Sequence, residues 1–341
     1  MKQLTIKGAT GNSEIFINER LENLSAYLPD TRVIIITDTN VSNLYADRFP
    51  DTEIITIGTG EVIKTMDTAA NIYRRLIELQ ADRSSFLVGI GGGIVCDITG
   101  FAASTYMRGI GFGYVATTLL AQVDASVGGK TGVNFMGYKN MVGVFNQPDF
   151  VLCDPNVLQT LSTRDLACGF GEIIKHAAIT DADYFSYLEA HSADAGALNA
   201  PVMEKIIFDS VRIKADVVNR DEKEAGERRK LNFGHTLGHA VEKTTKLPHG
   251  EAVAVGMIAA ARLSAEQGLI SKADVERLRR LVLSYGLPVS AGIDKKAIMD
   301  AMARDKKRKG AGIHFVLLAA IGQAVIEEIS MDELEAVVDL L

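Results

Sequence analysis

Hydrophobic positions along the first half of the chain fall into short, nearly unbroken runs separated by segments of helical period. RVIIITD (32–38), EIITIG (53–58), SFLVGIGGG (85–93), GYVATTLL (113–120) and FVLCD (150–154) read as buried strands, and residues 65–80 between the second and third carry apolar positions at helical spacing. Buried strands alternating with helices predict an α/β unit built on a mainly parallel sheet. From residue 162 to about 286 the strand signals vanish. Stretches such as DLACGFGEIIKHAAI and GEAVAVGMIAAARLSAEQG repeat apolar residues at the spacing of a helix face, so this half is expected to be mostly helical. Late runs, IHFVLLAAIG and AVIEEI (313–329), predict a short hairpin. The expected boundary is at 160/161: an α/β domain over 1–160 and a mostly helical domain over 161–341. Junctions of this kind favour ligand clefts, so the active site is expected in the cleft between them.

Composition changes this picture only by exclusion. The chain has 341 residues, 47% hydrophobic and 23% charged, the balance of an ordinary folded protein. Its 36 basic and 43 acidic residues give a net charge of −7, so no global positive field gathers nucleic acid or anionic lipid. An anionic ligand has to be held by a local site. Cys96, Cys153 and Cys168 are an odd set without metal spacing, as expected of free thiols in a reducing compartment. The opening residues lack the continuous apolar core of a signal peptide, and no apolar run reaches the ~20 residues of a membrane helix. The expected location is cytoplasmic.

Four constellations carry candidate chemistry. Gly89 to Asp97 follows an apolar strand and leads into a helix, with Gly91, Gly92 and Gly93 consecutive. Glycines there let the backbone approach a pyrophosphate, whose charge the helix start meets with N–H groups. Asp38, ending the first strand, is placed to accept from a ribose hydroxyl, and Thr117 and Thr118 end another strand. The second constellation runs from Asp124 through Gly128, Gly129 and Lys130 to Lys139 and Asn140. It reads as a glycine-rich loop that lacks the first glycine of a phosphate-binding Walker motif, but whose lysines suit a phosphate or carboxylate. In the third, His235, His239 and His249 place half of the chain's six histidines within fifteen residues. Imidazoles are common metal ligands, and Glu172 is the carboxylate best suited to complete a three-ligand site with an open position. Spacing leaves open whether His239 is a ligand or an acid/base. The fourth gathers Lys214, Glu224, Arg228 and Asn232, with a basic run from Asp305 to Lys309 whose plain reading is a solvated loop.

GGGIVCDITGF, ATTLLAQVDASVGGKTGVN, GEIIKHA, LNFGHTLGHAVE and LPHGEAV, in this order, resemble the 3-dehydroquinate synthase family of the sugar-phosphate cyclases, from about Val33 to Leu318. The resemblance implies an NAD- and zinc-dependent lyase, cobalt being the alternative metal. Its substrate is a small sugar-acid phosphate, 3-deoxy-D-arabino-heptulosonate 7-phosphate, and its product 3-dehydroquinate. It implies Glu172, His235 and His249 as metal ligands, with His239 contacting substrate instead. Asp38, Asn40, Glu61, Lys64, Gly92, Gly93, Ile94, Asp97, Thr117, Thr118, Lys139 and Thr160 match positions around NAD, and Asp124 and Lys130 positions near both nicotinamide and substrate. Asn140, Lys175, Lys214, Glu224, Arg228 and Asn232 match positions that grip the sugar acid or order the metal shell, and Lys307 is the favoured lysine of its run. Arg108 is similar to an arginine reaching the phosphate from a neighbouring subunit, which implies a homodimer. The residues before Lys139 and the charge at Glu227 depart from the family's usual pattern. Rival readings are another sugar-phosphate cyclase and a metal-dependent polyol dehydrogenase.

Overall fold

The computed structural model describes residues 1–292, 294–309 and 313–339, the side chains of 303–309, 331, 332 and 339 excepted. The chain separates into two compact units, one of residues 1–161 with 214–223, the other of residues 162–213 with 224–341.

The first unit contains β1 (Lys2–Gly8), β2 (Gly11–Ile17), β3 (Val33–Asp38), α1 (Thr39–Tyr45), β4 (Glu53–Ile57), α2 (Met66–Glu78), β5 (Phe86–Gly91), α3 (Gly93–Thr105), β6 (Gly111–Ala116), β7 (Lys130–Phe135), β8 (Tyr138–Phe145) and β9 (Phe150–Cys153). Seven strands form one sheet in the order β1-β2-β9-β6-β5-β3-β4, parallel throughout except for the β1–β2 pair. The apolar runs are unbroken because both faces are covered: Val33 and Ile35 join a core with Val88, Ile90, Val115 and Leu152, while Ile34 and Ile36 are equally buried on the other side. The chain leaves β3 for the edge strand β4 and returns to β5 on the far side of β3. Strand order therefore reverses between β3 and β5, the place where open α/β sheets bind ligands at the carboxyl ends of their strands.

The sequence reading missed two hairpins. β1 and β2 are polar outside, and only alternate positions of β2 (Ser13, Ile15, Ile17) are buried, a weaker signal than the continuous apolar runs of the parallel strands. The glycine-rich segment expected as a loop is instead the antiparallel pair β7–β8, with Lys130 opposite Phe145 and Phe135 opposite Tyr138. Gly132 and Gly143 face each other there, and a Cβ on Gly143 would stand 2.3 Å from the Thr131 carbonyl oxygen. In this pair glycine serves close strand approach.

The second unit holds α4 (Thr163–Thr180), α5 (Ala182–Ala190), α6 (Ser192–Gly196), the greater part of α7 (Ala200–Arg220), α8 (His235–Thr245), α9 (His249–Glu266), α10 (Lys272–Ser284), α11 (Lys295–Lys309), the predicted hairpin β10 (Ile313–Ala320) and β11 (Gln323–Ile329), and α12 (Met331–Asp339). Helices begin where side chains cap free N–H groups: Ser162 accepts from Asp165 N, and Ser271 forms a reciprocal box with Asp274. α9 is buried nearly all round, the reason its sequence shows almost no polar stripe.

The end of α7 belongs to the first unit, and a polar latch fixes it there. Asn219 Oδ1 accepts from Lys7 N (2.8 Å), and Glu222 accepts from Ala9 N (2.8 Å), Thr10 Oγ1 (2.6 Å) and Gln147 Nε2 (2.9 Å). Burial would raise the Glu222 carboxyl, but the bonds from Thr10, Gln147 and Ala9 outweigh it and hold it below its ordinary value. A depressed pKa stabilises the fold above the unfolded value, about 4.3, and that stabilisation is lost as pH falls through the folded value. Glu222→Gln is expected to lower unfolding stability at pH 7.5 by about 1–2 kcal/mol, the gap to the parent closing between about pH 5 and 3. Urea unfolding across that range checks this; matching curves at pH 7.5 would rule out the charge as the latch.

Candidate active site

In the first unit the expected nucleotide residues gather at the carboxyl ends of the strands. Asp38 ends β3 and caps α1, its Oδ1 accepting from Asn40 N (2.8 Å) and Val41 N (3.0 Å). Gly92 is the N-cap of α3 and brings no side chain to the first turn, which leaves N–H groups and a positive helix end of the kind anions favour. A Cβ on Gly93 would stand 2.8 Å from the Ala125 Cβ and one on Gly92 3.0 Å from the Thr118 Cγ2. The turn is therefore a cradle only glycine leaves open, and it fits a dinucleotide's pyrophosphate. Ile94 lies in that first turn, and Thr117 N donates to Gly91 O (2.9 Å), setting the β6 end beside it. Thr160 stands off at the foot of α1, sharing a hydrogen bond with the Tyr45 hydroxyl (2.6 Å).

A polar network joins five more of the expected residues. Lys64, almost fully buried, pairs with Asp97 and donates to Asn140 Oδ1 (2.6 Å). Asn134 donates to Glu61 Oε1 (2.8 Å) and accepts from Asn140 N (2.9 Å), with Lys139 Nζ 3.8 Å from Glu61. Burial pushes the Asp97 carboxyl up against the opposing pull of Lys64. Asn134 was not expected; its signal was only its place between two candidate segments. Asn140 sits at φ +51°, a conformation asparagine tolerates better than most residues. The hairpin register parts the second constellation: Lys130 opens β7 at the hairpin base, whereas Lys139 and Asn140 lie near its turn, about 14 Å along a strand at ~3.4 Å per residue. Lys130 and Arg108 are exposed. Asp124, in a wide helical turn over Ala121–Ala125, accepts from Lys214 Nζ at Oδ1 (2.7 Å) and at its carbonyl (2.6 Å).

In the second unit three helices aim one ligand atom each at a common point. Glu172 on α4, fully buried, has its Oε1 3.5 Å from His235 Nε2 at the start of α8 and 3.4 Å from His249 Nε2 at the start of α9. An ion bound at about 2.0–2.1 Å in tetrahedral geometry separates its ligands by about 3.4 Å. The fit extends outward. Lys175, one turn along α4, pairs with the other carboxylate oxygen. His235 Nδ1 lies 3.2 Å from the Phe233 carbonyl, and His249 Nδ1 3.4 Å from Glu242 Oε2. Both acceptors draw the ring proton to Nδ1 and turn Nε2 inward, the outer arrangement of histidine metal sites. Burial, with Lys175 nearby, pushes the His235 imidazole well below its ordinary value and keeps it neutral. Burial would lower His249 too, but hydrogen bonds to Glu172 and Glu242 lift it to about 9; a cation taking its Nε2 displaces that proton. One carboxylate and two imidazoles are a donor set suited to a divalent, N/O-ligated metal.

His239 lies one turn beyond His235 and exposed, its ring centroid 5.3 Å from that of His235 and 5.9 Å from that of His249. Asn232 donates to Glu224 Oε1 (2.5 Å), Glu224 adopts φ +60°, and Arg228 is 2% exposed. Glu242 was missed by the sequence reading, although His239-x-x-Glu242 places it on the ligand face of α8. The Lys307 side chain lies outside the described residues.

Comparison with known proteins follows this geometry. The family models for the N-terminal and C-terminal parts of 3-dehydroquinate synthase match residues 54–168 and 169–308. A 3-dehydroquinate synthase of Halorhodospira halophila is 42% identical over 311 residues, covering 89% of this chain and 88% of its own. Among solved structures, a 2-epi-5-epi-valiolone synthase from Streptomyces hygroscopicus with NAD⁺ and Zn²⁺ bound superposes with a TM-score of 0.89 at 28% identity, covering 100% and 99% of the two chains. A 2-deoxy-scyllo-inosose synthase complexed with carbaglucose-6-phosphate, NAD⁺ and Co²⁺ gives 0.86 at 26% identity, covering 99% of each.

The outer carboxylate yields a prediction of its own. Glu242→Gln is expected to weaken zinc binding roughly 10–100-fold while the protein stays folded. Competition against a chromophoric chelator measures it, and unchanged affinity would show that His249 needs no such partner.

Proposed function

The chain belongs to the 3-dehydroquinate synthase family, and from that membership we propose that it converts 3-deoxy-D-arabino-heptulosonate 7-phosphate into 3-dehydroquinate and inorganic phosphate, a step of the shikimate route to chorismate. The C5 hydroxyl is oxidised, the adjacent C–H becomes acidic and is lost as phosphate leaves, the ketone is reduced again, and the opened ring recloses by an aldol step. When bound, NAD⁺ would take up and give back the electron pair at C5, and a divalent metal, zinc or cobalt, would polarise the C5 oxygen. The observation that carries this reading is the approach of Glu172 Oε1 to both histidine Nε2 atoms at tetrahedral ligand spacing.

Each residue set then has its task. Glu172, His235 and His249 hold the metal, with Lys175 and Glu242 fixing the carboxylate and one imidazole. The α3 start with Gly92, Gly93 and Ile94 receives the pyrophosphate, and Asp38, Asn40, Glu61, Lys64, Asp97, Thr117, Thr118, Lys139 and Thr160 line the rest of the dinucleotide site. Asp124 and Lys130 act near nicotinamide and substrate. Asn140, Lys214, Glu224, Arg228, Asn232 and Lys307 grip the sugar acid, their cations answering its carboxylate and phosphate. His239, exposed beside the metal triad, is the histidine able to exchange a proton with substrate. The α/β part of the chain is thus the NAD domain and the helical part the metal and substrate domain.

Other cyclases share this scaffold, so fold likeness does not choose the substrate. The sequence identity to a 3-dehydroquinate synthase supports the heptulosonate phosphate over them. A polyol dehydrogenase would instead release NADH. No helix among the described residues is long and apolar enough to cross a membrane, in keeping with a cytoplasmic enzyme. Exposed Phe135, Met136, Tyr138 and Met141 on the β7–β8 hairpin offer apolar surface to a second copy, in keeping with a homodimer.

Supplied with the heptulosonate phosphate, NAD⁺ and zinc, the protein should release phosphate without net NADH; stoichiometric NADH, or turnover only with another sugar phosphate, would overturn the reading. Arg108 acting across the dimer predicts complementation. Arg108→Ala and His249→Ala proteins, each nearly inactive, should recover up to about a quarter of wild-type activity after subunit exchange, because half the dimers are mixed and each mixed dimer has one complete site. No recovery despite proven exchange would place Arg108 in its own subunit's site.

A further inference from the structure

Each of the three proposed ligands has a glycine as its sequence neighbour: Gly171-Glu172, Gly234-His235 and His249-Gly250. We propose that Gly171, Gly234 and Gly250 are positioning residues, setting the backbone separation of α4, α8 and α9 at which the three ligand atoms share one cation. The inference rests on the reading of Glu172, His235 and His249 as metal ligands.

Apart from the Met257 Cγ, 2.6 Å from a Cβ on Gly234, the close contacts at these glycines are with backbone, which cannot swing aside. A Cβ on Gly250 would stand 2.3 Å from the carbonyl oxygen and 2.4 Å from the Cα of Cys168 on α4. From the other side, a Cβ on Gly171 would stand 2.9 Å from the Gly250 carbonyl oxygen, so α4 and α9 touch main chain to main chain beside two ligands at once. Gly234, at φ +77°, would bring a Cβ to 2.8 Å from both Val253 O and Met257 N of α9, and Gly256 on α9 answers with a Cβ position 2.0 Å from Gly234 O. Helices packed through side chains lie about 8–10 Å apart; these glycines remove the intervening layer where the ligands sit.

The sequence adjacency gives the contact its chemical force. A methyl group at Gly171 or Gly250 has to push the helices apart by a good part of an ångström, and the ligand's Cα, one peptide away, moves with it. Metal–ligand distances tolerate only about ±0.2 Å, so such a shift opens the triad. Glycine inside a helix costs about 1 kcal/mol relative to alanine, a cost α4 and α9 carry at Gly171, Gly250 and Gly256. Gly238 supplies an internal control. It lies in the same α8–α9 contact, with a Cβ position 3.0 Å from the Val253 Cα, but borders no ligand of the triad.

The test measures zinc affinity of the metal-stripped protein by chelator competition, with apo-protein melting temperature and the cobalt absorption spectrum alongside. Gly250→Ala is expected to weaken zinc at least 30-fold and Gly171→Ala about 10-fold, with a weakened or shifted cobalt spectrum, while Gly238→Ala stays within about threefold at a comparable loss of melting temperature. Should Gly250→Ala not fold, Gly171→Ala, whose single close backbone contact is milder, decides the matter. A folded Gly171→Ala protein binding zinc within twofold of wild type would overturn the proposal, as would Gly238→Ala losing as much affinity as Gly171→Ala. Wild-type affinity in His249→Ala would instead overturn the ligand reading beneath it.

Discussion

A carboxylate with no access to water dictates the second unit. Glu172 sits at 0% exposure, where removing an ion from solvent costs several kcal/mol unless opposite charge and hydrogen bonds replace the lost hydration. Lys175, itself 2% exposed, neutralises one oxygen from the next turn of the same helix. The other oxygen faces two imidazoles. One of these burial keeps neutral, and the other is protonated through its two carboxylate neighbours. With Glu172 and Lys175 cancelling, a divalent cation on the triad would outweigh Glu242 and leave the centre with a net positive charge. That balance suits a phosphorylated sugar acid.

Two different kinds of scaffold aim the two sets of residues. In the first unit the aim comes from a parallel sheet: β3, β5 and β6 end side by side, so Asp38, the Gly91–Gly93 turn and Thr117 are brought together by hydrogen-bond register alone. A sheet ladder tolerates large changes in outward side chains without moving its strand ends. In the second unit the β10–β11 ladder flanks α4 and α9, but the spacing of α4, α8 and α9 depends on the residues at their crossings. Side-chain identity therefore controls geometry far more tightly around the triad than around the nucleotide turn.

Much of this was legible in the sequence for identifiable reasons. Buried parallel strands announce themselves as continuous apolar runs, so β3 to β6 and β9 were visible, and the clustering of His235, His239 and His249 in a chain of six histidines marked the metal face. β1 and β2 were hidden because an edge hairpin leaves one face polar, and α11 because only Ile298 and Met302 among its described side chains are buried. β7–β8 was masked by glycines whose use, close strand approach, resembles a loop in composition. Which histidine faces away from the ligand point could not be read from i, i+4 spacing: His235 and His239 share a face, and only the arrival of His249 from α9 selects His235. The same holds for Glu242, which has meaning only beside His249.

Substrate choice is left to the least regular part of the chain. Cyclases acting on other sugar phosphates keep the same scaffold, so the fold alone does not discriminate between their substrates. The segment from Asp221 to Gly234 is different in kind: Glu224 is held at φ +60°, Gly226 at φ −148° and ψ −96°, and a single 3₁₀ stretch over Glu227–Asn232 buries Arg228 and turns Asn232 back onto Glu224. Backbone this far from repeating structure is not dictated by a ladder and persists only when its side chains fix it. A buried guanidinium presents two parallel donors to a carboxylate, the group that separates a heptulosonic acid from the neutral sugars of related enzymes. On the proposed reading, discrimination would rest on Arg228 and the strained turn that seats it rather than on the fold.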